Sequence, residues 1–266
     1  MTSNKILKQL LHPLRNVLGR FAISPLEERV AALEAKVYEL QLNNTIVYKA
    51  ASFIAADKIE GDYLEFGVFR GGSFVTAYIS LLEAFNRAST PGIWNTEQDC
   101  VERSALWNRM RFFAFDSFEG LPTPSGVDAQ SRDFVEGKFS CTEDEFKKII
   151  SARGVPLEKV TTVPGWFNES LNRDTLEKHN IRKAAVVYVD CDLYESAKSV
   201  LDFITPLLVD GSIIIFDDWY NFNGDPDLGE QKAYGEWLTM HPDIKLTQYH
   251  KEGPWKNSFI VHKAAK

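Results

Sequence analysis

Two short acidic segments carry the residues best suited to chemistry. They are Tyr188-Val189-Asp190-Cys191-Asp192-Leu193-Tyr194-Glu195 and Ile215-Phe216-Asp217-Asp218-Trp219, and each ends an apolar run that reads as a strand covered on both faces. If the two strands are parallel neighbours, their carboxyl ends meet and four aspartates converge on one crevice. Carboxylates gathered there repel one another and are costly to desolvate. A hard divalent cation removes both costs, and an all-oxygen donor set suits Mg²⁺ or a similar ion.

Two further strand ends fit a ligand beside that ion. Glu65-Phe66-Gly67-Val68-Phe69-Arg70-Gly71-Gly72-Ser73 leads from a strand into a helix, and its glycines permit close approach to the backbone. The spacing is not G-x-G-x-x-G, which counts against a nicotinamide dinucleotide. Phe115-Asp116-Ser117-Phe118-Glu119-Gly120-Leu121-Pro122 places an acid where nucleoside-binding α/β folds hold a ribose, because a carboxylate accepts from two vicinal hydroxyls at once. The histidines His12, His179, His241, His250 and His262 are scattered, with no nucleophile motif beside them, so neither a hydrolase triad nor a histidine zinc site is indicated.

The elements that must position these groups alternate along the chain. Strands are expected at Tyr63 to Phe69, Arg111 to Phe118, Val160 to Val163, Ala184 to Asp192 and Ser212 to Trp219. Helices are expected around Phe74 to Phe85, Glu143 to Ser151, Glu169 to Lys178, Ser196 to Leu208 and Gly229 to Met240. The alternation predicts a doubly wound α/β sheet, mostly parallel. The segments Ile244 to Tyr249 and Ser258 to His262, joined by Lys251-Glu252-Gly253-Pro254, are too close for a helical crossover and are expected to form a C-terminal antiparallel hairpin. Arg87 to Met110 and Glu119 to Ser140 read as irregular, the second placed as a lid and the first serving packing or assembly.

Residues 1–43 are expected to form an N-terminal helical arm, and residues 44–266 the α/β domain with its lid at 119–140. Residues 1–21 carry Lys5, Lys8, Arg15 and Arg20 without an acid, on a helix-spaced apolar stripe. Such a stripe either packs on protein or gives weak peripheral contact with an anionic membrane. Ser24-Pro25-Leu26-Glu27 reads as a helix start, and Leu26, Val30, Leu33, Val37 and Leu40 form a coiled-coil seam of about two heptads. The seam is either a dimerisation arm or the inner face of a helix packed on the domain.

Of the 266 residues, 44% are hydrophobic and 25% charged, the balance of a folded globular chain. A net charge of -7 argues against binding nucleic acid through bulk attraction. Cys100, Cys141 and Cys191 lack metal or disulfide spacing, and no apolar run is long enough to span a bilayer, so a cytoplasmic location is expected.

Taken together and in order, the motifs resemble the macrocin O-methyltransferase (TylF-like) family, whose members are metal-dependent, Rossmann-like class I methyltransferases using S-adenosylmethionine (SAM). The segments that carry the resemblance are Leu64 to Gly72, Phe115 to Pro122, Gly165-Trp166-Phe167, Asp190 to Ser196 and Phe216 to Tyr220. The resemblance implies SAM and a divalent metal such as Mg²⁺ as cofactors, and transfer of a methyl group to a sugar hydroxyl of a glycan or glycosylated natural product. It places Glu65 and Gly67 at the methionine part of SAM, Asp116 at its ribose and Gly165, Trp166 and Phe167 at its adenine. Gly71, Ser73, Ser117 and Asp190 are further candidate cofactor contacts. Asp190, Asp217 and Asp218 match the metal-holding positions, with Asp190 and Asp192 the candidate catalytic acids and Asp192 either a ligand or the base. Gln231 stands where the family more usually has arginine, and the insert at Arg87 to Met110 is longer than usual.

Two other functions compete: a catechol-type O-methyltransferase, for which Phe134, Phe139 and Trp166 could stack on a phenolic ring, and a catalytically silent SAM-fold assembly protein. The apolar seam, which would otherwise be an exposed stripe, predicts a homodimer or larger homo-oligomer. Light scattering checks this: the full chain should give a multiple of the monomer mass, and a chain starting at Asn44 should give the monomer mass.

Overall fold

A computed structural model describes residues 20–92, 95–123, 126–130 and 136–263. Residues 1–19 of the stripe at 1–21, and the centre of the lid with Phe134, lie outside the described residues. The chain divides into two units, one ending at Asn44 and the other running from Thr45 to Lys266.

In the first unit a helix, α1, runs from Arg20 to Asn43. It is already helical at Arg20, so the expected start at Ser24 is corrected. The apolar spacing of Leu18 and Phe21 continues into Leu26, and a long helix absorbs the one backbone hydrogen bond that Pro25 cannot donate. Leu33, Val37 and Leu40 of the seam are exposed.

The second unit is built on a seven-stranded sheet of order β3-β2-β1-β4-β5-β7-β6. The strands are β1 (Asp62–Phe66), β2 (Phe112–Asp116), β3 (Val160–Pro164), β4 (Ala184–Val189), β5 (Leu208–Phe216), β6 (Ile244–Glu252) and β7 (Lys256–Lys263). The first five pair in parallel, β7 lies antiparallel to β5, and β6 antiparallel to β7. The doubly wound sheet and its closing hairpin are as the alternation predicts.

Side chains alternate across the strands and so build two cores. Tyr63, Phe112, Tyr188 and Ile215 face α2 (Ile46–Ala56), α3 (Gly72–Ala88) and, farther along the chain, the helix Glu143–Ala152. Leu64, Phe115, Val187 and Phe216 face the helices Tyr194–Ile204 and Gly229–Met240 on the other side. α2 was not foreseen. Most of its residues are buried, so it lacks the polar face that gives a helix its period in sequence.

Three expected elements differ. Four of the five parallel strands stop two or three residues short of their predicted ends, at or just before the chemical groups, while β3 runs one residue past its predicted end to Pro164. The helix expected over Glu169 to Lys178 is two short ones, Phe167–Ser170 and Arg173–Lys178, because Asn172 caps the second by accepting from the Thr175 N–H at 2.9 Å. The insert at Arg87 to Met110 contains a helix, α4 (Glu97–Arg109), opened by a reciprocal capping box between Thr96 and Asp99.

α4 explains why the insert is there. Its Arg103 is 8% exposed and donates to the carbonyls of Ala55 (2.9 Å), Ala56 (3.0 Å) and Ala88 (3.1 Å), and to Asn95 Oδ1 (2.9 Å). These carbonyls belong to the last turns of α2 and α3, where orphan acceptors and the helix dipole both favour a cation. Replacing Arg103 by Met should leave them unsatisfied and cost about 3 kcal/mol. Urea denaturation checks this: the midpoint should fall without a change in slope.

Candidate active site

The parallel strands end on one rung. Phe115 pairs with Phe66, Phe66 with Val189 and Val189 with Phe216. The residues one step beyond are Asp116, Gly67, Asp190 and Asp217, so all four leave the sheet at the same level. Their backbone continues the ladder: the N–H groups of Gly67, Asp190 and Asp217 each donate at 2.9 Å to Phe115, Phe66 and Val189. Gly67 sits at φ +87°, and a Cβ there would lie 1.8 Å from the Asp190 carbonyl oxygen. Only glycine lets Asp190 come this close to β1. The level lies where the strand order reverses between β1 and β4, the place at which open α/β sheets bind ligands.

On one side of Gly67 the acids gather. Asp190, Asp217 and Asp218 each offer a carboxylate oxygen, and the three oxygens lie within 4.8 Å of one another. Burial, with the charge of Asp217 next, holds the Asp190 carboxyl well above the usual carboxylate range. Burial also pushes Asp218 up to about 9, with the charges of Asp192 and Asp217 adding to it. Asp192, at φ +62°, is raised to about 6, again mainly by burial. Asp218 Oδ1 accepts from Asn221 Nδ2 at 2.6 Å, whereas its buried Oδ2 receives no N–H or O–H from a neutral donor. The Asp218 and Asp192 carboxyls also meet, an approach that only a shared proton or a cation makes tolerable. A set of hard oxygens with one such orphan fits a divalent ion.

These acids form part of the wall of a cavity of about 700 Å³. It is lined by Gly67, Asp116, Ser117, Gly165, Trp166, Phe167, Asp190, Asp192, Asp217 and Asp218, among others. Asp116 holds two turns together: Oδ2 accepts from the N–H groups of Val68 (2.7 Å) and Phe69 (3.2 Å), and Oδ1 from that of Phe118 (2.8 Å). A carboxylate has about four acceptor positions, so one remains for a ligand hydroxyl. The Gly165 N–H donates to the Asp116 carbonyl at 3.0 Å, which fixes the aromatic pair Trp166-Phe167 at the same wall.

Glu65, Gly71 and Ser73 do not line the cavity. Glu65 is fully buried, and its carboxylate accepts from Ser73 Oγ at 2.6 Å and from the Tyr63 hydroxyl. Burial pushes it up to about 8. Gly71 lies against Phe146 and Ile150, where a side chain would strike the helix Glu143–Ala152.

Three contributors escaped the sequence analysis. Asp128, in the lid, accepts from the N–H groups of Tyr194 (2.9 Å) and Glu195 (3.3 Å) and so docks the lid on the helix that follows Asp192. Glu230 is buried and accepts from the Asp218 N–H at 3.1 Å, while its Oε1 has no partner. Burial, then the charge of Asp218, raises its carboxyl well above the usual range. Lys256, at the start of β7, donates to Asp217 Oδ1 and, at 2.7 Å, to the Tyr188 hydroxyl. Burial works against its charge, but the neighbouring acids, Asp217 foremost, raise its pKa overall. Glu230 stands in a segment already noted for Gln231, whose Nε2 donates to the Trp219 carbonyl at 2.8 Å; nothing local in sequence marks Asp128 or Lys256.

Comparison with known proteins agrees with this architecture. The chain is 30% identical over 172 residues to an 8-demethyl-8-(2,3-dimethoxy-alpha-L-rhamnosyl)-tetracenomycin-C 4'-O-methyltransferase of Streptomyces olivaceus, covering 62% of this chain and 56% of that one. It is 26% identical over 170 residues to a mycinamicin III 3''-O-methyltransferase of Micromonospora griseorubida, covering 61% and 57%. The aligned part thus spans little more than half the length of these curated relatives. Among solved structures, the O-methyltransferase NovP shares the fold with a TM-score of 0.62 at 20% identity, over 84% of this chain and 80% of that one. A calicheamicin methyltransferase shares it with a TM-score of 0.59 at 22% identity, over 98% and 93%. Residues 41–225, well over half of the chain, match the model of one family. The chain therefore belongs to the macrocin-O-methyltransferase (TylF) family.

Proposed function

We propose that this protein transfers a methyl group from SAM to a hydroxyl of a sugar, on a glycan or glycosylated natural product, and that the transfer depends on a divalent metal. The observation that carries the reading is the triad of Asp190, Asp217 and Asp218, whose oxygens converge within 4.8 Å beside the cavity. The names of the curated relatives, O-methyltransferases of rhamnosyl-tetracenomycin and of mycinamicin, support the reaction and the acceptor class.

Each group of the chain has a task in this reading. Asp116 orients the ribose through its free acceptor position, and Trp166 with Phe167 covers the adenine. Gly67 leaves room for the methionine part between Asp116 and Asp190. Glu65 acts from behind, holding Ser73 and Tyr63 under the first turn rather than meeting the ligand. SAM supplies a cationic sulfonium whose methyl is the electrophile, and an acidic wall tolerates that charge better than it would a phosphate.

Asp190, Asp217 and Asp218 would hold the metal, which supplies positive charge that favours deprotonation of an alcohol. Asp192 accepts the acceptor's proton: it lines the cavity beside the triad, and a carboxyl raised to about 6 is a stronger base than an exposed aspartate yet still ionised at neutral pH. The walls align the two reactants, which can account for a large share of the acceleration. Phe69, Phe139 and Trp255, each at least two-fifths exposed, stand among the lining residues and offer flat apolar surface to a sugar face.

Two substitutions should fail differently. Asp116→Ala should weaken SAM binding at least about 10-fold in calorimetry, since it removes the ribose acceptor and loosens both turns. Asp217→Asn should leave SAM affinity nearly intact and reduce turnover at least about 10- to 100-fold. Full activity of the unaltered protein in a chelator would defeat the metal assignment, and no SAM binding would defeat the whole reading.

The base makes a separate prediction. Below its pKa, about 6 in the metal-free site and lower beside a cation, Asp192 is protonated and accepts nothing, so kcat should fall towards acid pH. Asp192→Asn should lower kcat about 100-fold or more at neutral pH and abolish this acid limb in the pH profile.

A further inference from the structure

The part of the chain that matches the family ends at residue 225, yet the site does not. The turn between β6 and β7 comes back to the carboxyl ends of β4 and β5. The Tyr220 N–H donates to the Trp255 carbonyl at 3.0 Å, which ties the hairpin to the loop after Asp217-Asp218. Lys256 follows at once, with most of its side chain out of solvent, and its Nζ reaches both Tyr188 and Asp217.

The arrangement at Asp217 is specific. Oδ1 accepts from the Tyr188 hydroxyl and from the Lys256 ammonium, so both acceptor positions of that oxygen are filled. The torsion that turns a carboxylate about its Cβ–Cγ bond is soft, and two donors on one oxygen fix it. Oδ2 is then left to face an ion. Tyr188 is itself immobile, being 1% exposed within the core under the sheet. The ammonium, held on Oδ1, also offsets the single negative charge that three carboxylates retain around a divalent ion.

We propose that Lys256 is a positioning residue of the metal site: with Tyr188 it locks Asp217 so that one oxygen is presented to the ion, and it balances the charge of the occupied site. The proposal rests on the metal reading given above. It assigns a task in the site to the C-terminal hairpin, a segment outside the family match. Lysine suits the place because one compact ammonium can donate to Tyr188 and Asp217 together.

Calorimetric titration of the full chain with Mg²⁺ and Mn²⁺, without acceptor, tests this directly. Lys256→Met should weaken metal binding about 10- to 100-fold, the usual loss for an outer-shell partner, while SAM affinity, which reports on folding, stays near that of the unaltered protein. Lys256→Arg keeps the charge and donors and should restore most of the loss. Tyr188→Phe removes the other donor to the same oxygen without changing charge and should weaken the metal in the same direction, which keeps the test decisive if Lys256→Met does not fold. Metal binding by Lys256→Met as tight as, or tighter than, that of the unaltered protein would overturn the proposal, because the lysine would then be neutral to the ion or a competitor for it. So would an unchanged Tyr188→Phe, or an arginine variant no better than the methionine one. If the unaltered protein binds neither metal, the metal reading and this proposal fall together; if it binds and the variants do not differ from it, this proposal alone falls.

Discussion

The register of the parallel ladder governs everything else in this molecule. Hydrogen bonding between neighbouring strands fixes Phe115, Phe66, Val189 and Phe216 on one rung, and the next residue of each strand must leave the sheet at the same height. Three of those residues are aspartates and the fourth is glycine. A shift of one residue in any strand would turn its acid toward a core instead of the crevice. Fold and chemistry are therefore set by the same hydrogen bonds, and the apolar layers on both faces hold the register in place.

Bringing acids to one level creates an electrostatic debt that the surroundings settle locally. Backbone N–H groups stabilise Asp116, and its pair of turns becomes rigid in return. The triad has no comparable set of donors. Burial and mutual repulsion raise Asp190 and Asp218, and an ammonium and a phenol stand against Asp217. The two halves of the crevice thus differ in kind: the Asp116 side is finished by the protein itself, whereas the triad side keeps an oxygen in need of a proton or a cation.

Much of this was legible in the sequence, for a physical reason. Strands buried on both faces are written as continuous apolar runs, and the acids that end them are conspicuous because nothing in a core excuses them. α2 was hidden because burial all round erases the helical period, and α4 because its surface is mostly polar; the capping box at Thr96 and Asp99 was its one local sign. Asp128 and Lys256 act on groups 66 and 39 residues away, and no spacing rule joins a lid or a hairpin turn to a strand end at such separation. The surroundings of Glu65 were hidden for the same reason: the residue lies on the expected strand, but only the folded sheet shows its carboxyl held by Ser73 and Tyr63 and off the cavity lining.

The position of Lys256 along the chain also sets the order in which the site is made. At elongation rates of about 5–20 residues per second, its ammonium is synthesised about 2–8 seconds after the carboxylate it will hold, 39 residues earlier. Until β7 arrives, β5 presents an unpaired edge and the triad stands without its counter-charge. A nascent chain therefore passes through an interval in which its acids are assembled and its sheet is open, and the same strand ends both conditions together.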